Sequence, residues 1–400
     1  MKMATTYKLK DICSKIGSGA TPKGGKEAYL GGETALIRSQ NVLDFSFSNT
    51  GLAYINNEQA TALDNVIVEK NDVLLNITGD SVARACMVPD DILPARVNQH
   101  VAIIRGKSPH VLNEYLLYYI QFIKSQLLSL SQGGATRNAL TKGMIENMEI
   151  PLPSIQEQKR IVSVLKSIQS KIELNNRINH NLEEQAKTLY KSWFVDFEPF
   201  KDGKFIDSEL GLIPENWAVG TIYNICDIYY GAPFNSTLFN SEKKGLPLIR
   251  IRDLAKQEAG VYTEEIHPKG RLTNKGDILV GMDGEFSIYI WGGISSWINQ
   301  RISCFTPKEG YSHFYLTETL RPQLKAVESS EVATTVIHIG KNDYDKFRSI
   351  IPTQFVLEAF YKLTEPLYGQ YVDNLIANQN LTALRDSLLP RLMSGTLSTN

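Results

Sequence analysis

Apolar and polar positions along the chain follow two rhythms in turn. Through the first ~150 residues the apolar runs are short, as in Ala35 to Arg38, Asp72 to Leu75 and Val101 to Ile104. Gly, Asn, Asp and Pro punctuate these runs, the signature of short strands joined by turns. One helical stretch, Leu112 to Leu130, interrupts them. The pattern predicts a compact, strand-rich α+β domain.

Beyond Pro153 the rhythm changes. Ser154-Ile155-Gln156-Glu157 has the form of a capping box, in which Ser accepts from the backbone at the helix start and Glu reaches back. Then Ile161, Leu165, Ile168, Ile172, Asn175, Asn179, Leu182, Ala186 and Leu189 recur at alternating spacings of four and three. That is a coiled-coil seam sustained over about four heptads.

Both rhythms then return in the same order. Leu9 to Cys13 is matched by Ile222 to Cys226, Gly19-Ala20 by Gly231-Ala232, and Leu36-Ile37-Arg38 by Leu248-Ile249-Arg250. Lys70 to Leu74 is matched by Lys275 to Leu279, and Val97 to Val101 by Ile298 to Ile302. The offset drifts from 213 to 201, as small loop deletions in the second copy would produce. Five matches in unchanged order indicate a duplication. The second helical stretch runs from His313 to Val327, and the second seam, at offset 199, reads Phe360, Thr364, Leu367, Tyr371, Asn374, Asn378, Leu381, Arg385 and Leu388. Thr353 is placed to cap this helix. Pro366 and Gly369 predict a kink or break near its start, so that the long helices proper begin near Ile168 and Leu367.

A polar Asn in a seam weakens a coil but specifies register, because a buried amide needs a partner. If the two helices run antiparallel about a pseudo-dyad at this level, Asn175 faces Asn378 and Asn179 faces Asn374. Ile172 then meets Leu381, and Leu182 meets Tyr371. The alternative is two separate helices, each capping its own domain with its asparagines in water.

The linear plan is therefore a strand-rich domain at 1–153, a helix at 154–196, a linker at 197–217, a second strand-rich domain at 218–352 and a second helix at 353–400. Pro and Gly break the periodicity in the linker. Its aromatics, Phe197, Phe200 and Trp217, predict an ordered segment, since a disordered one has no use for them.

Composition narrows the function. With 42 Lys plus Arg against 43 Asp plus Glu, the chain carries a net charge of −1 and does not hold nucleic acid by bulk positive charge alone. Local patches, or a basic partner, remain open to it. The first ten residues lack the apolar core of a signal peptide, and no stretch offers the ~18 consecutive apolar residues of a membrane span. Cys13, Cys86, Cys226 and Cys304 stand far apart, against both a zinc site and a disulfide framework. A cytoplasmic chain with reduced thiols is expected.

Catalytic motifs are missing. In Gly17-Ser18-Gly19-Ala20-Thr21-Pro22-Lys23-Gly24-Gly25-Lys26 the position a P-loop needs for Lys holds Gly25, and Pro22 removes a backbone donor. The dinucleotide fingerprint fails at Pro22 as well. The six histidines form no HExxH motif and no pair with a nearby cysteine, and no G-x-S-x-G elbow occurs. Glu157-Gln158-Lys159 and Glu242-Lys243-Lys244 match the end of a nuclease motif but read as solvated charges. The Asn/Asp-Pro-Pro-aromatic loop of DNA amino-methyltransferases is absent, because the chain has no Pro-Pro. A fusion carrying its own methyltransferase is thereby set aside.

The run Ile150 to Val162 (IPLPSIQEQKRIV) resembles the start of the central conserved region of type I restriction–modification specificity (S) subunits. Trp193 to Phe200 (WFVDFEPF), followed by Gly211 to Trp217 (GLIPENW), is similar to that family's linker, and Leu388 to Gly395 (LLPRLMSG) to its C-terminus. The resemblance covers essentially the whole chain. The second copy departs from it at Pro352-Thr353-Gln354-Phe355-Val356-Leu357, which lacks the Glu-Gln pair, so equal docking of partners on both helices is not implied. The resemblance implies a non-catalytic subunit whose two target-recognition domains each read half of a split, asymmetric site in double-stranded DNA. Two methyltransferase (M) subunits would dock on the paired helices, and motor/nuclease (R) subunits would join the complete enzyme. S-adenosylmethionine, ATP and magnesium would belong to those partners. About 26 helical residues at 1.5 Å each span ~40 Å, close to one DNA turn.

Base readout needs Arg, Asn, Gln and similar groups at major-groove base edges. Arg38, Ser39, Gln40 and Asn41 align with Arg250, Ile251, Arg252 and Asp253, just after predicted strands. An Arg ending a strand can equally bind phosphate or a local carboxylate. Asn98-Gln99 is shared with Asn299-Gln300, which favours a structural or phosphate role, whereas His100 against Arg301 marks a reader. Thr78, Asp80 and Ser81 lie in a loop whose counterpart runs from Asp283 to Phe286, and a tight Gly turn explains that match equally well. Thr21, Lys23, Thr136, Arg137 and Asn138 are candidate phosphate contacts on polar loops. A duplicated protein–protein adaptor on a coiled-coil scaffold is the alternative function; 9% aromatic residues and near-zero charge fit it.

Overall fold

The computed structural model describes residues 5–22, 28–29, 31–107, 109–132, 138–330 and 337–397. It forms two compact units, one of residues 1–170 with 382–400, the other of residues 171–381. The long helices, Ile155–Phe194 and Gln354–Met393, each contribute to both units.

In the first unit β1 (Thr5–Lys8), β2 (Cys13–Ser18), β3 (Thr34–Ile37), β4 (Ala53–Ile55), β5 (Ile67–Val68), β6 (Val73–Asn76), β7 (Ala85–Met87), β8 (Ala95–Val97), β9 (Val101–Gly106) and β10 (Glu149–Leu152) build three small sheets. Their orders are β2-β9-β6-β7, β4-β3-β8-β5 and β1-β10. The pairing of β3 with β8 is parallel; the other pairings are antiparallel. Alternation along the central strands explains why their sequence reads as unbroken apolar runs. Val73, Leu75, Ala102 and Ile104 join Tyr115 and Leu116 of the helix Asn113–Phe122 in one core, while Leu74 and Ile103 point the other way into a core with Ala35, Leu36 and Val97. Both faces of the sheet are buried. The predicted single helix is two, Asn113–Phe122 and Lys124–Ser131.

The second unit opens with the hairpin of β11 (Phe205–Ser208) and β12 (Gly211–Pro214). It then repeats the plan with β13 (Ala218–Thr221), β14 (Cys226–Tyr230), β15 (Leu246–Ile249), β16 (Val261–Thr263), β17 (Ile278–Gly281), β18 (Ile288–Ile290), β19 (Trp297–Ile298), β20 (Ile302–Pro307) and β21 (Arg348–Ile351). The orders β14-β20-β17-β18, β16-β15-β19 and β13-β21 reproduce those of the first unit strand for strand, apart from a counterpart to β5 among the described residues. Again the central pairing, β15 with β19, is parallel, and the other pairings between these strands are antiparallel. Ile278, Val280 and Phe305 enter one core with Tyr315 and Leu316 of the helix His313–Ser330, and Leu279 and Cys304 enter another with Ile249 and Trp291.

Gly19, from the run tested as a phosphate loop, serves this repeat together with its counterpart Gly231. A Cβ on Gly19 would lie 1.8 Å from the Val97 carbonyl oxygen, and one on Gly231 would lie 2.0 Å from that of Asn299. Each copy needs a glycine there because one strand passes hard against another backbone.

The linker is ordered. Phe200 stacks edge-on to Trp217 at 4.9 Å and to Trp193 at 6.1 Å, and Phe194 at the end of the first long helix lies 5.8 Å from Trp217 and 4.8 Å from Phe360.

At the start of the first long helix the Ser154 half of the capping box is present, with the Glu157 N–H donating to Ser154 Oγ at 3.3 Å. Gln158 is fully buried; it donates to the His110 and Pro153 carbonyls and accepts from the Leu112 N–H, each at 3.0 Å. It clamps the helix to its domain. Leu357 replaces it in the second copy and packs as an apolar core residue.

The expected break at Pro366 and Gly369 does not occur, and neither helix is confined to the stretch after Ile168 or Leu367: both run unbroken for 40 residues. Packing holds the backbone on each side of Pro366. The buried Thr364 hydroxyl donates to Ser312 Oγ at 2.8 Å, Tyr368 Oη donates to the Gly276 carbonyl, and Glu365 meets His313 Nδ1 at 2.7 Å. The bond Pro366 cannot make is outweighed by these.

The seam asparagines are bonded to one another within the second unit. Asn175 Nδ2 donates to Asn378 Oδ1 and Asn374 Nδ2 to Asn179 Oδ1, both at 2.8 Å. Asn179 Nδ2 donates to the Tyr371 carbonyl at 3.0 Å. Among the described residues, no helix is long and apolar enough to cross a membrane.

Candidate nucleic-acid interface

Both domains present loops at the same end of their central strands, on one backbone frame. In the first, the Asn98 N–H donates to the Ile37 carbonyl at 3.0 Å, Ile77 to His100 at 3.0 Å, Gly79 to Asn138 at 3.0 Å and Leu140 to Ile77 at 2.8 Å. In the second, Asn299 donates to Ile249 at 3.1 Å, Met282 to Arg301 at 2.9 Å, Gly284 to Ile337 at 3.0 Å and Ile339 to Met282 at 3.0 Å. These bonds equate Thr78 with Asp283, His100 with Arg301, Asn138 with Ile337, and Ala139 with His338.

Within the first frame, Ser39, Gln40, Thr78, Asp80, Ser81 and His100 line one open depression together with Gly79 and Arg84. Six positions singled out in the sequence thus converge. Thr78 Oγ1 lies 2.6 Å from His100 Nδ1, and Gln99 Nε2 lies 3.1 Å from His100 Nε2. Thr21 extends this chain by donating to Gln99 Oε1. The His100 N–H donates to Asn98 Oδ1 at 2.9 Å, so the buried Asn98 fixes the turn. Asn138 holds the frame through its carbonyl. Lys23, Thr136 and Arg137 lie outside the described residues.

Asn41 does not line the depression. It is fully buried; its Oδ1 accepts the Arg38 N–H at 3.0 Å and its Nδ2 donates to the Ser48 carbonyl at 2.9 Å. Its counterpart Asp253 is also buried and accepts the Arg250 N–H at 3.0 Å. These two residues shape the turn after β3 and β15. The strand-ending arginines have local partners as well: Arg38 donates to the Gly51 carbonyl and lies 5.3 Å from the Tyr29 ring centre, and Arg250 pairs with Asp253 at 2.9 Å. For Arg250 the local carboxylate is the partner it meets.

The second frame carries different chemistry. Arg252, the counterpart of Gln40, is exposed. Arg301 sits beside Asp283, Nε to Oδ2 at 3.7 Å, and His338 Nδ1 lies 2.7 Å from Asp283 Oδ1 and 3.2 Å from Arg301 Nη1. One ring nitrogen cannot both donate to the carboxylate and accept from the guanidinium. The shorter contact makes Nδ1–H the donor to Asp283.

Sequence reasoning missed Arg84 and His338. Arg84 sits in a loop whose length differs between the copies, and His338 falls between the second helical stretch and the second seam, where no residues were matched, so neither had a visible counterpart. Among the described residues, no group of three His, Cys, Asp or Glu gathers as a metal site.

Two copies of one strand-rich domain, each offering a polar locus of its own on a shared frame, define a tandem recognition protein. The sequence model of the type I restriction modification DNA specificity domain matches residues 1–184 and 214–354, and the chain belongs to that family, the specificity subunits of type I restriction–modification systems. It is 28% identical to the type I restriction enzyme MjaIX specificity subunit of Methanocaldococcus jannaschii, an alignment covering 98% of this chain and 92% of that one. To the HindI specificity subunit of Haemophilus influenzae it is 22% identical, covering 82% and 87%. The crystal structure of the type I S subunit from M. genitalium shares the fold, with a TM-score of 0.55 and 15% identity over 98% of this chain and 96% of that one.

Proposed function

We propose that this chain reads a bipartite, asymmetric site in double-stranded DNA, one half-site per recognition domain. The observation that carries the reading is the pair of equivalent loci. One hydrogen-bonded frame presents Gln40, Thr78 and His100 in the first domain and Arg252, Asp283 and Arg301 in the second. Equal frames with unequal side chains suit two readers of different sequences at one geometry.

The long helices act as a ruler between the readers and as a dock for two methyltransferase subunits, with restriction/translocase subunits joining the assembly. The asparagine bonds Asn175–Asn378 and Asn374–Asn179, with partner numbers running in opposite directions, support an antiparallel coiled-coil pairing. Methylation, cleavage and translocation, with S-adenosylmethionine, ATP and magnesium, belong to the partners, and the complex works in the cytoplasm. The net charge of −1 fits a subunit that selects by a few placed side chains while its partners share the phosphate contacts, so alone it binds DNA weakly.

Mapping methylated sites in a host expressing the chain with its methyltransferase tests this. A two-part motif with a fixed spacer is expected; a continuous motif, or none, overturns it.

A further inference from the structure

One guanidinium in the first locus stands apart from Arg38, Arg96 and Arg105 of the same domain. Arg38 is held by Gly51, Arg96 by Asp64 at 2.8 Å, and Arg105 by Asp72 at 2.7 Å. Arg84 lines the depression beside Gln40, Thr78 and His100, and its side chain makes no ion pair or hydrogen bond with the described residues.

The chain bends its backbone to place this residue. Ala83, fully buried, has φ of 65°, in the left-handed region that residues with a Cβ avoid. Its N–H donates to the Asn76 carbonyl at 2.9 Å, and the Asn76 N–H donates to the Arg84 carbonyl at 2.8 Å. Two residues thus face one across the strand pair, which is a bulge, the device that re-aims a side chain beside a functional surface. The second domain lacks it. Eight residues separate β6 from β7, six separate β17 from β18, and Ser287 stands where Arg84 does. The bulge and the arginine come together in one copy only.

We propose that Arg84 reads a guanine in the half-site taken by the first domain. The inference rests on the reading of the two domains as half-site readers. An unpaired guanidinium offers two parallel N–H groups to guanine O6 and N7, and Gln40 and Thr78 beside it are placed for neighbouring base edges. A phosphate contact would ask only for charge, which lysine supplies equally well.

The test compares methylated-site maps for the unaltered chain, Arg84→Ala and Arg84→Lys, each expressed with the methyltransferase. Both substitutions are expected to relax the same single guanine position, with discrimination falling ~5- to 150-fold. The other half-site and the spacer stay as they were, which serves as the control for folding. Should Arg84→Ala fail to accumulate, Arg84→Lys, which keeps most of the aliphatic stem, decides alone. An unchanged motif in these variants overturns the assignment, as does Arg84→Lys preserving the guanine that Arg84→Ala loses, or a half-site without guanine. If the unaltered chain directs no two-part methylation, the half-site reading itself falls. If it does and the variants leave the motif intact, only the guanine assignment falls.

Discussion

Asn175 donates its amide to Asn378 across 2.8 Å, and four residues along each helix Asn374 donates to Asn179 at the same distance. The two pairs are not equal. Both amide atoms of Asn179 are engaged, Oδ1 by Asn374 and Nδ2 by the Tyr371 carbonyl. Asn175 Oδ1 is buried with no partner among the described residues. Removing Asn179 therefore breaks two hydrogen bonds, whereas removing Asn175 breaks one and also removes a group already stranded. We expect Asn179→Ala to cost about 1–3 kcal/mol and Asn175→Ala distinctly less. Urea denaturation of the two variants checks the order, and equal costs would refute the accounting. Within each pair, a double-mutant cycle should give a coupling of at least ~0.5 kcal/mol.

Gly19 and Gly231 hold the same place in the two copies, and each faces a carbonyl too close for a Cβ. Gly19→Ala and Gly231→Ala should each destabilise by about 1–3 kcal/mol, because a strand or its neighbour has to move. Gly143 is the control. It sits in the short helix Lys142–Glu146 with nothing within 4 Å of a Cβ, and Ala there should stabilise by up to ~1 kcal/mol. Thermal melts of the three variants read the contrast directly.

The glycines also show what was legible beforehand. Strand runs, the duplication and the Ser154 cap are local or periodic signals, and each survives in the structure at the residues that carried it, while the four asparagines are found hydrogen-bonded in two pairs. What the sequence misjudged is where tertiary contacts override local rules. Pro366 reads as a break, yet Thr364, Glu365 and Tyr368 are pinned to the second domain and the helix continues. Asn41 and Asp253 read as contact residues because polar side chains after a strand look available. Their burial depends on a turn that folds the backbone over them. Arg84 was invisible for the opposite reason, since a two-residue loop difference removes its counterpart from the alignment of the copies.

All four thiols are buried, and burial pushes Cys13, Cys86 and Cys226 up to about 12, with Cys304 shifted in the same direction. The thiolate is the reactive form, so at pH 8 the native chain should react with iodoacetamide only through opening. Mass spectrometry should find essentially no label on the folded protein within minutes and four labels after unfolding in urea. Rapid labelling of any one cysteine in the native state would show that its core opens locally.

The ruler reading makes a demand that stability data cannot meet. Duplicating residues 175–181 and 374–380 adds one heptad to each long helix and repeats the asparagine level, so the seam keeps its register. Seven residues add about 10 Å at 1.5 Å each, or the axial rise of roughly three base pairs. Each recognition domain keeps its own loops, so both half-sites should keep their sequences while the number of unspecified bases between them changes. Methylated-site mapping reads the two quantities separately. A spacer unaltered by the insertion would mean that something other than the helices sets the separation, and the ruler would be wrong even if both half-sites were read as proposed.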